Sequence, residues 1–216
     1  MDNDRTVEDR LREEYFDLLP EIRRTVIETE TRVRRELLES TLALQRYERL
    51  LVTSRTKECE SAVDALRRRQ TLGLFDPERA DTYSLTSLPD LAAVRVMAFP
   101  QQRFDDARIA LSVMLTSWTA DPVPGISEAA EPLALKYFGK WNVGARVNAE
   151  IQIVPLLVGL FWEVEHSAIY KPNPNLHGLV HSESVIQRRN DVLTALRAFE
   201  LEFESAIHQS SAEPRA

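Results

Sequence analysis

The stretch Leu91-Ala-Ala-Val-Arg-Val-Met-Ala-Phe99 breaks the helical spacing of apolar residues that precedes it. Val94, Val96 and Ala98 alternate with Arg95, so neighbouring side chains point to opposite faces of an extended chain. This alternation predicts a β-strand in a chain whose N-terminal third has the apolar spacing of helices.

A second extended stretch, Ala149-Glu-Ile-Gln-Ile-Val154, alternates in the same way. Ile151 and Ile153 point to one face, which the pattern assigns to the core, whereas Glu150 and Gln152 point together to the other face. A strand with one polar face is typical of a cleft lining, and we expect a cleft here.

The other elements place these strands in a mixed architecture. Strands joined by a hairpin are predicted at Leu133–Trp141 and Arg146–Val154, after a loop at Ala120–Pro132. Apolar spacing predicts helices at Leu11–Leu18, Pro20–Leu44, Thr56–Gln70, Gln102–Trp118, Leu156–Tyr170 and Ser182–Ile207. This order predicts an α+β fold, a small mixed or antiparallel sheet covered by helices, with long N- and C-terminal helices.

Composition excludes several classes of protein. The 216 residues are 44% hydrophobic and carry a net charge of −7, which argues against a general DNA or membrane binder. The single cysteine, Cys59, allows neither an internal disulfide nor a cysteine-based zinc cluster. The N-terminus lacks the order of a signal peptide and no apolar run reaches membrane-spanning length, so we expect a cytoplasmic protein.

Two acidic residues are candidates for chemistry. Asp90 lies just before the first strand, and if the two strands are neighbours its carboxylate lies at the same end of the sheet as that of Glu150. Paired carboxylates hold Mg²⁺, or one binds metal while the other acts as a base. From geometry alone, a turn residue and a solvated strand residue are the commoner interpretation.

Three motifs in order resemble those of the RelA/SpoT alarmone synthetase family. Ala149-Glu-Ile-Gln-Ile, then Phe161-Trp-Glu-Val-Glu-His166 and Ile169-Tyr-Lys171, resemble its Glu-Ile-Gln-Ile strand, Glu-His helix end and Tyr-Lys pair. Pro89-Asp-Leu-Ala-Ala-Val-Arg95 resembles its Asp-Leu-Ala-Gly-Ile-Arg strand, and Ser54-Arg-Thr-Lys-Glu-Cys-Glu-Ser61 its Arg-x-Lys-x-x-x-Ser helix start. The resemblance implies a nucleotidyltransferase-like fold, with a helical region at 1–50, a synthetase core at 51–175 and a C-terminal helix and tail at 176–216.

The family's activity is the transfer of pyrophosphate from ATP to the ribose 3′-hydroxyl of an acceptor nucleotide, GDP or GTP. By resemblance, Arg55 and Arg95 sandwich adenine, a use suited to the planar guanidinium. Lys57 and Ser61 contact the phosphates. The alternatives without a catalytic role are that Arg55 and Lys57 are ordinary surface residues at a helix N-terminus and that Arg95 forms an ion pair with a nearby acid.

The resemblance also assigns the catalytic centre. Asp90 ligates Mg²⁺, the expected cofactor, while Glu150 helps to hold the metal and draws the proton from the attacking hydroxyl. Residues implied to support the site are Gln152, His166, Tyr170 and Lys171. A structural hydrogen-bonding role is the commoner interpretation of the histidine, and the arginines at 67–69 either form a solvated face or meet phosphates.

The acceptor half departs from the family. Its Gly-Tyr-Arg-Ser-x-His stretch, whose tyrosine stacks on guanine, is absent; Tyr137 is either a displaced stacking residue or a core aromatic, with Lys136 beside it. Val154-Pro155 replaces an Arg-Thr pair, and Gly159 replaces a polar residue. Either the acceptor differs, as in toxin-like relatives that modify tRNA 3′ ends, or catalysis is lost and a nucleotide-binding regulatory protein remains.

Further partners are expected at the helical ends. The seam Ile22, Val26, Val33 and Leu37 packs on the domain or on another subunit. The last helix has a predicted seam that suggests a homo-oligomer, formed by Val192, Leu196, Phe199, Phe203 and Ile207. A toxin-like role would add an antitoxin partner. The hydrolase half of long family members is not expected, because the four histidines form no His-Asp motif.

Overall fold

The computed structural model describes residues 6–125, 132–165 and 182–212. Its helices are α1 (Val7–Glu36), α2 (Leu38–Leu42), α3 (Cys59–Arg67), α4 (Gln101–Met114), α5 (Leu156–Glu165) and α6 (Glu183–Ala212). Its strands are β1 (Arg49–Thr56), β2 (Ala92–Phe99), β3 (Thr119–Val123), β4 (Ala134–Gly139) and β5 (Ala149–Pro155). The predicted α+β class with long terminal helices is confirmed.

The five strands form one mixed sheet in the order β1-β2-β5-β4-β3. The central pair, β2 and β5, is parallel, whereas the β1–β2, β4–β5 and β3–β4 pairs are antiparallel. The predicted hairpin is therefore present as β4 and β5. The two strands predicted from alternation alone, β2 and β5, are direct neighbours. Asp90 and Glu150 can lie at the same end of the sheet only in such an arrangement.

The two faces of the sheet are covered unequally. One face packs on α1 and α4, through buried side chains such as Val33, Leu111 and Ile151. The opposite face packs on α5 and α6 only over part of its width, around Met97 and Leu193. The polar remainder of that second face is left as a cleft.

Helix α1 is continuous through Pro20, which corrects the prediction that this proline opens a second helix. Its buried seam runs past the proline through Leu18, Ile22, Val26 and Val33. An interior proline costs about 3 kcal/mol; tertiary burial of the long apolar seam outweighs that local cost. The intramolecular alternative for the seam is thus the one observed.

Two strands were missing from the sequence prediction. β1 was assigned partly to flanking helices, and its tip Thr53, Ser54 and Arg55 is polar and exposed. β3 lies in the predicted loop, because its Asp121 and Pro122 are typical loop residues. Both are edge strands, and an edge strand tolerates proline. Only Leu50 and Val52 of β1 pack partly against the core, which is too short an alternation to identify the strand.

The seam of α6 is shifted relative to the prediction. Leu193 and Glu200 are buried, whereas Val192 and Phe199 are 40% and 52% exposed. Self-association through the terminal helices stays a prediction, as does the division at residues 50 and 175. None of the described helices combines the length and the apolar character needed to cross a lipid bilayer.

Candidate active site

The cleft is crossed by a row of directly opposed residues on four strands. Thr53 of β1 pairs with Arg95 of β2, which pairs with Gln152 of β5, which pairs with Lys136 of β4. Directly opposed residues on adjacent strands project from the same face of a sheet. A cationic side chain therefore stands on each side of Gln152.

A second row lies beside the first and carries the predicted catalytic acid. Arg55 is opposite Ala93, Ala93 is opposite Glu150, and Glu150 is opposite Phe138. Asp90 lies just ahead of β2, and both acids line the same cleft. Because β2 and β5 are neighbours, as predicted, Asp90 and Glu150 lie in the same cleft.

Helix α3 and its entry form one wall of the cleft, which has a volume of about 1210 Å³. The backbone N–H of Lys57 donates to Leu91 O at 2.9 Å, and the Tyr15 hydroxyl donates to Lys57 O at 2.8 Å. These bonds fix the segment between β1 and α3. They place Lys57 and Ser61 on the cleft, in agreement with the predicted donor side.

Lys57 and Asp90 form an ion pair inside the cleft. Lys57 Nζ donates to Asp90 Oδ2, and both side chains are largely buried, with 16% and 20% exposure. The lysine neutralises a carboxylate that would otherwise stand near the charge of Glu150. The contact of Lys57 with a phosphate stays a prediction.

Arg95 is held by its neighbours on β5 and α5. Its Nε donates to Gln152 Oε1 at 2.9 Å, and Gln152 Nε2 donates in turn to Glu150 Oε1. Burial and the nearby charge of Arg55 lower the pKa of Arg95, although its ordinary value is so high that it stays cationic at neutral pH. These two successive hydrogen bonds, through Gln152, orient the side chains of Arg95 and Glu150.

Asp90 and Glu150 are the residues that could hold a divalent cation. Among residues 6–125, 132–165 and 182–212, no group of three or more His, Cys, Asp or Glu side chains forms a complete metal site. Mg²⁺ is commonly bound by one or two carboxylates together with substrate phosphates. The donor set fits Mg²⁺ that arrives with a nucleotide better than a metal held by protein alone.

On the acceptor side the structure separates the two predicted residues. Lys136 lines the cleft and has no acidic partner in the part of the chain that the structure describes. Tyr137 points to the other face and packs against the core with Ile151, so the core alternative is the one observed. Phe138, which the prediction missed, is opposite Glu150 and shares its face; the alternation of β4 could have identified it.

The three arginines at positions 67–69 have different surroundings: the first forms ion pairs and the other two line the cleft. Arg67 pairs with Glu8 and Asp64, at 3.6 and 3.1 Å. Arg68 and Arg69 line the cleft. The run thus divides at the end of α3, and a contact of Arg68 or Arg69 with phosphates stays a prediction.

Helices α5 and α6 add cleft residues to which the sequence analysis gave no role. Trp162 and Glu163 of α5 line the cleft, and Arg189 of α6 pairs there with Glu165. Gly159, one of the departures from the family, lets α5 approach the sheet, since a Cβ there would lie 2.8 Å from Met97 Sδ. The remaining predicted site residues, at positions 166, 170 and 171, lie outside the described residues.

No family model matches the chain, and no curated protein matches it. Small alarmone synthetase 1 from Bacillus subtilis bound to its product pppGpp superposes with a TM-score of 0.61 at 20% identity, over 91% of this chain and 99% of that chain. The same protein bound to AMPCPP gives 0.58 at 19% identity over the same shares. A GTP pyrophosphokinase family protein from Streptococcus pneumoniae gives 0.57 at 19% identity, over 93% and 98%. The chain therefore has the fold of the small alarmone synthetases, as its motifs predicted.

Proposed function

We propose that the chain is a pyrophosphokinase that transfers the terminal pyrophosphate of ATP to the ribose hydroxyl of an acceptor nucleotide. The observation that carries the proposal is one cleft that gathers Arg55, Lys57 and Arg95 around Asp90 and Glu150. Phosphoryl-transfer enzymes act mainly by positioning and charge neutralisation, and this cleft offers both. The nucleotides in the two neighbouring complexes, AMPCPP and pppGpp, support the same class of ligand.

The donor nucleotide occupies the side of the cleft formed by β1, β2 and α3. Arg55 is near enough to Arg95 to lower its pKa, so two guanidinium groups flank the same space. A planar base between them would separate like charges and gain two cation–π contacts. Lys57 and Arg68 would then meet the phosphates, and the arginine has no acidic partner within the described ranges.

The chemical step is a displacement at phosphorus. The acceptor hydroxyl oxygen attacks the β-phosphorus of ATP, the hydroxyl proton passes to Glu150, and the bond to the α-phosphate oxygen breaks to release AMP. Gln152, donating to Glu150 Oε1, leaves the second carboxylate oxygen to receive the proton. Mg²⁺ held by Asp90 and Glu150 would supply charge neutralisation at the phosphates when bound.

The acceptor occupies the opposite side of Glu150, over β4. Phe138 offers a ring for a nucleobase, and Lys136, which has no acidic partner among the described residues, offers a cation for its phosphates. Base stacking on an aromatic ring contributes about 1–3 kcal/mol. Stacking accepts any base, so the expectation of GDP or GTP as acceptor rests on the pppGpp bound by the neighbouring synthetase. The residues that bind it here would differ from the family's tyrosine stretch.

The test is AMP release from labelled ATP with Mg²⁺ and GDP, GTP, an adenine nucleotide or tRNA as acceptor. We expect release with GDP or GTP, and a loss of at least about 100-fold in Glu150→Gln, as is typical when a general base is removed. Glu202→Gln is the matched control, because that carboxylate is exposed on α6 and does not line the cleft. Release with tRNA alone would indicate the toxin-like alternative, and no release with any acceptor would contradict the enzyme.

A further inference from the structure

Glu163 is a cleft carboxylate to which the proposed reaction gives no role. It projects from α5 with 48% of its side chain exposed, and its Oε1 lies 3.6 Å from Arg95 Nη1. The close approach of α5 to the sheet at Gly159 fixes the helix above β2 and β5. Glu163 is therefore held beside the guanidinium that is proposed to stack on the donor base.

Charge neutralisation explains only part of this placement. Glu163, ahead of Glu150, favours the charged form of Arg95. The hydrogen bond that anchors the guanidinium is made to Gln152, at 2.9 Å. The Glu163 contact is longer than a hydrogen bond, and half-exposed ion pairs contribute little to stability. A carboxylate in this position has its oxygens available for a ligand.

We propose that Glu163 reads the base of the donor nucleotide, by accepting a hydrogen bond from the exocyclic 6-amino group of a purine stacked on Arg95. This inference rests on the proposed function, because it needs a purine nucleotide on the Arg95 side of the cleft. It adds the residue that distinguishes the donor from the acceptor.

The selectivity follows from donor and acceptor chemistry. An ionised carboxylate only accepts hydrogen bonds, so it matches an amino group and repels the carbonyl oxygen that guanine and hypoxanthine carry at the same position. A cleft that takes two purine nucleotides must keep the acceptor out of the donor position. A site built around a hydrogen bond rejects ligands that leave its polar group unpaired.

The experiment compares ATP with purine riboside triphosphate, which lacks only the 6-amino group. Dissociation constants are measured by calorimetry with Mg²⁺ and no acceptor, for the unaltered chain, Glu163→Ala and Glu163→Gln. The unaltered chain should prefer ATP by about tenfold, the size of one hydrogen bond to a charged group. Glu163→Ala should bind both nucleotides equally, and Glu163→Gln, which keeps an acceptor oxygen, should retain part of the preference.

The controls separate a base-reading role from a structural one. Glu202→Gln, an exposed carboxylate on α6 that does not line the cleft, should keep the full preference. Circular dichroism should show each variant folded. Retention of the tenfold preference by Glu163→Ala would overturn the inference and leave the proposed function standing. Failure of the unaltered chain to bind either nucleotide would overturn both, whereas loss of the preference in Glu163→Ala alone supports both.

Discussion

Lys57 and Asp90 are joined by a hydrogen bond from Nζ to Oδ2 that ties the entry of α3 to the entry of β2. Two segments 33 residues apart thus meet through two largely buried opposite charges. Each charge depends on the other, because an unpaired buried charge is costly. The pair is both a structural link and part of the proposed catalytic site.

Removing one partner of this pair should destabilise the fold. We expect Lys57→Met and Asp90→Asn each to lower the free energy of unfolding by about 1–3 kcal/mol, the cost of leaving a buried group unsatisfied. The double variant should lose less than the sum of the two. Urea denaturation measures all three, and strictly additive losses would show that the two groups do not interact.

Arg95→Ala should abolish detectable ATP binding. The side chain is largely buried and its guanidinium is oriented by Gln152, so its loss removes the proposed stacking surface. Arg95→Lys should not restore binding, because an ammonium group offers no planar face. Calorimetric titration with ATP and Mg²⁺ provides the measurement, and unchanged affinity in the alanine variant would exclude adenine from this position.

Glu200 should make stability depend on pH. It is fully buried on α6, and burial raises its pKa from 4.5 to about 7, against the opposing influence of Arg197 at 3.5 Å. Because the folded state holds the proton more tightly than the unfolded state, its stabilising contribution is present below pH 4.5 and is lost as pH rises through 7. The melting temperature should therefore fall between pH 5 and pH 8.

Glu200→Gln should flatten that dependence and melt higher than the unaltered chain at pH 8. The exposed neighbour Glu202 supplies the control, since Glu202→Gln should leave the pH profile as it is. Melting curves recorded from pH 5 to pH 8 decide the matter. An unchanged slope in Glu200→Gln would assign the pH dependence to another group.

Gly139→Ala should destabilise the acceptor-side strand. A Cβ at this position would lie 2.7 Å from Trp118 Cδ1 and closer to other atoms of that ring. The ring packs against Trp141 at an interplanar angle of 52°. Overpacking of this kind costs about 1–3 kcal/mol. Gly144→Ala is the matched control, because no atom lies within 4 Å of its added Cβ. Equal unfolding free energies for the two variants would contradict this packing.

The sequence by itself determined the centre of the sheet and its chemistry. The alternation around Arg95 and through Glu150 to Ile153 specified two strands and their polar face, because period-2 geometry is local to a strand. The ordered motifs predicted Lys57 and Asp90 as members of one nucleotide site, and both line the same cleft. These features depend on residues close together in the chain.

Only the tertiary structure decided the edges and the far walls of the site. Strands β1 and β3 are formed by hydrogen bonds to their neighbouring strands. Their own residues do not have the apolar alternation that would have predicted them. Alternation along β4 puts Lys136 and Phe138 on one face, but only the register against β5 shows that this face, and not that of Tyr137, is shared with Glu150. Glu163 and Arg189 reach the cleft because two helices pack over the sheet, a long-range arrangement that no local pattern encodes.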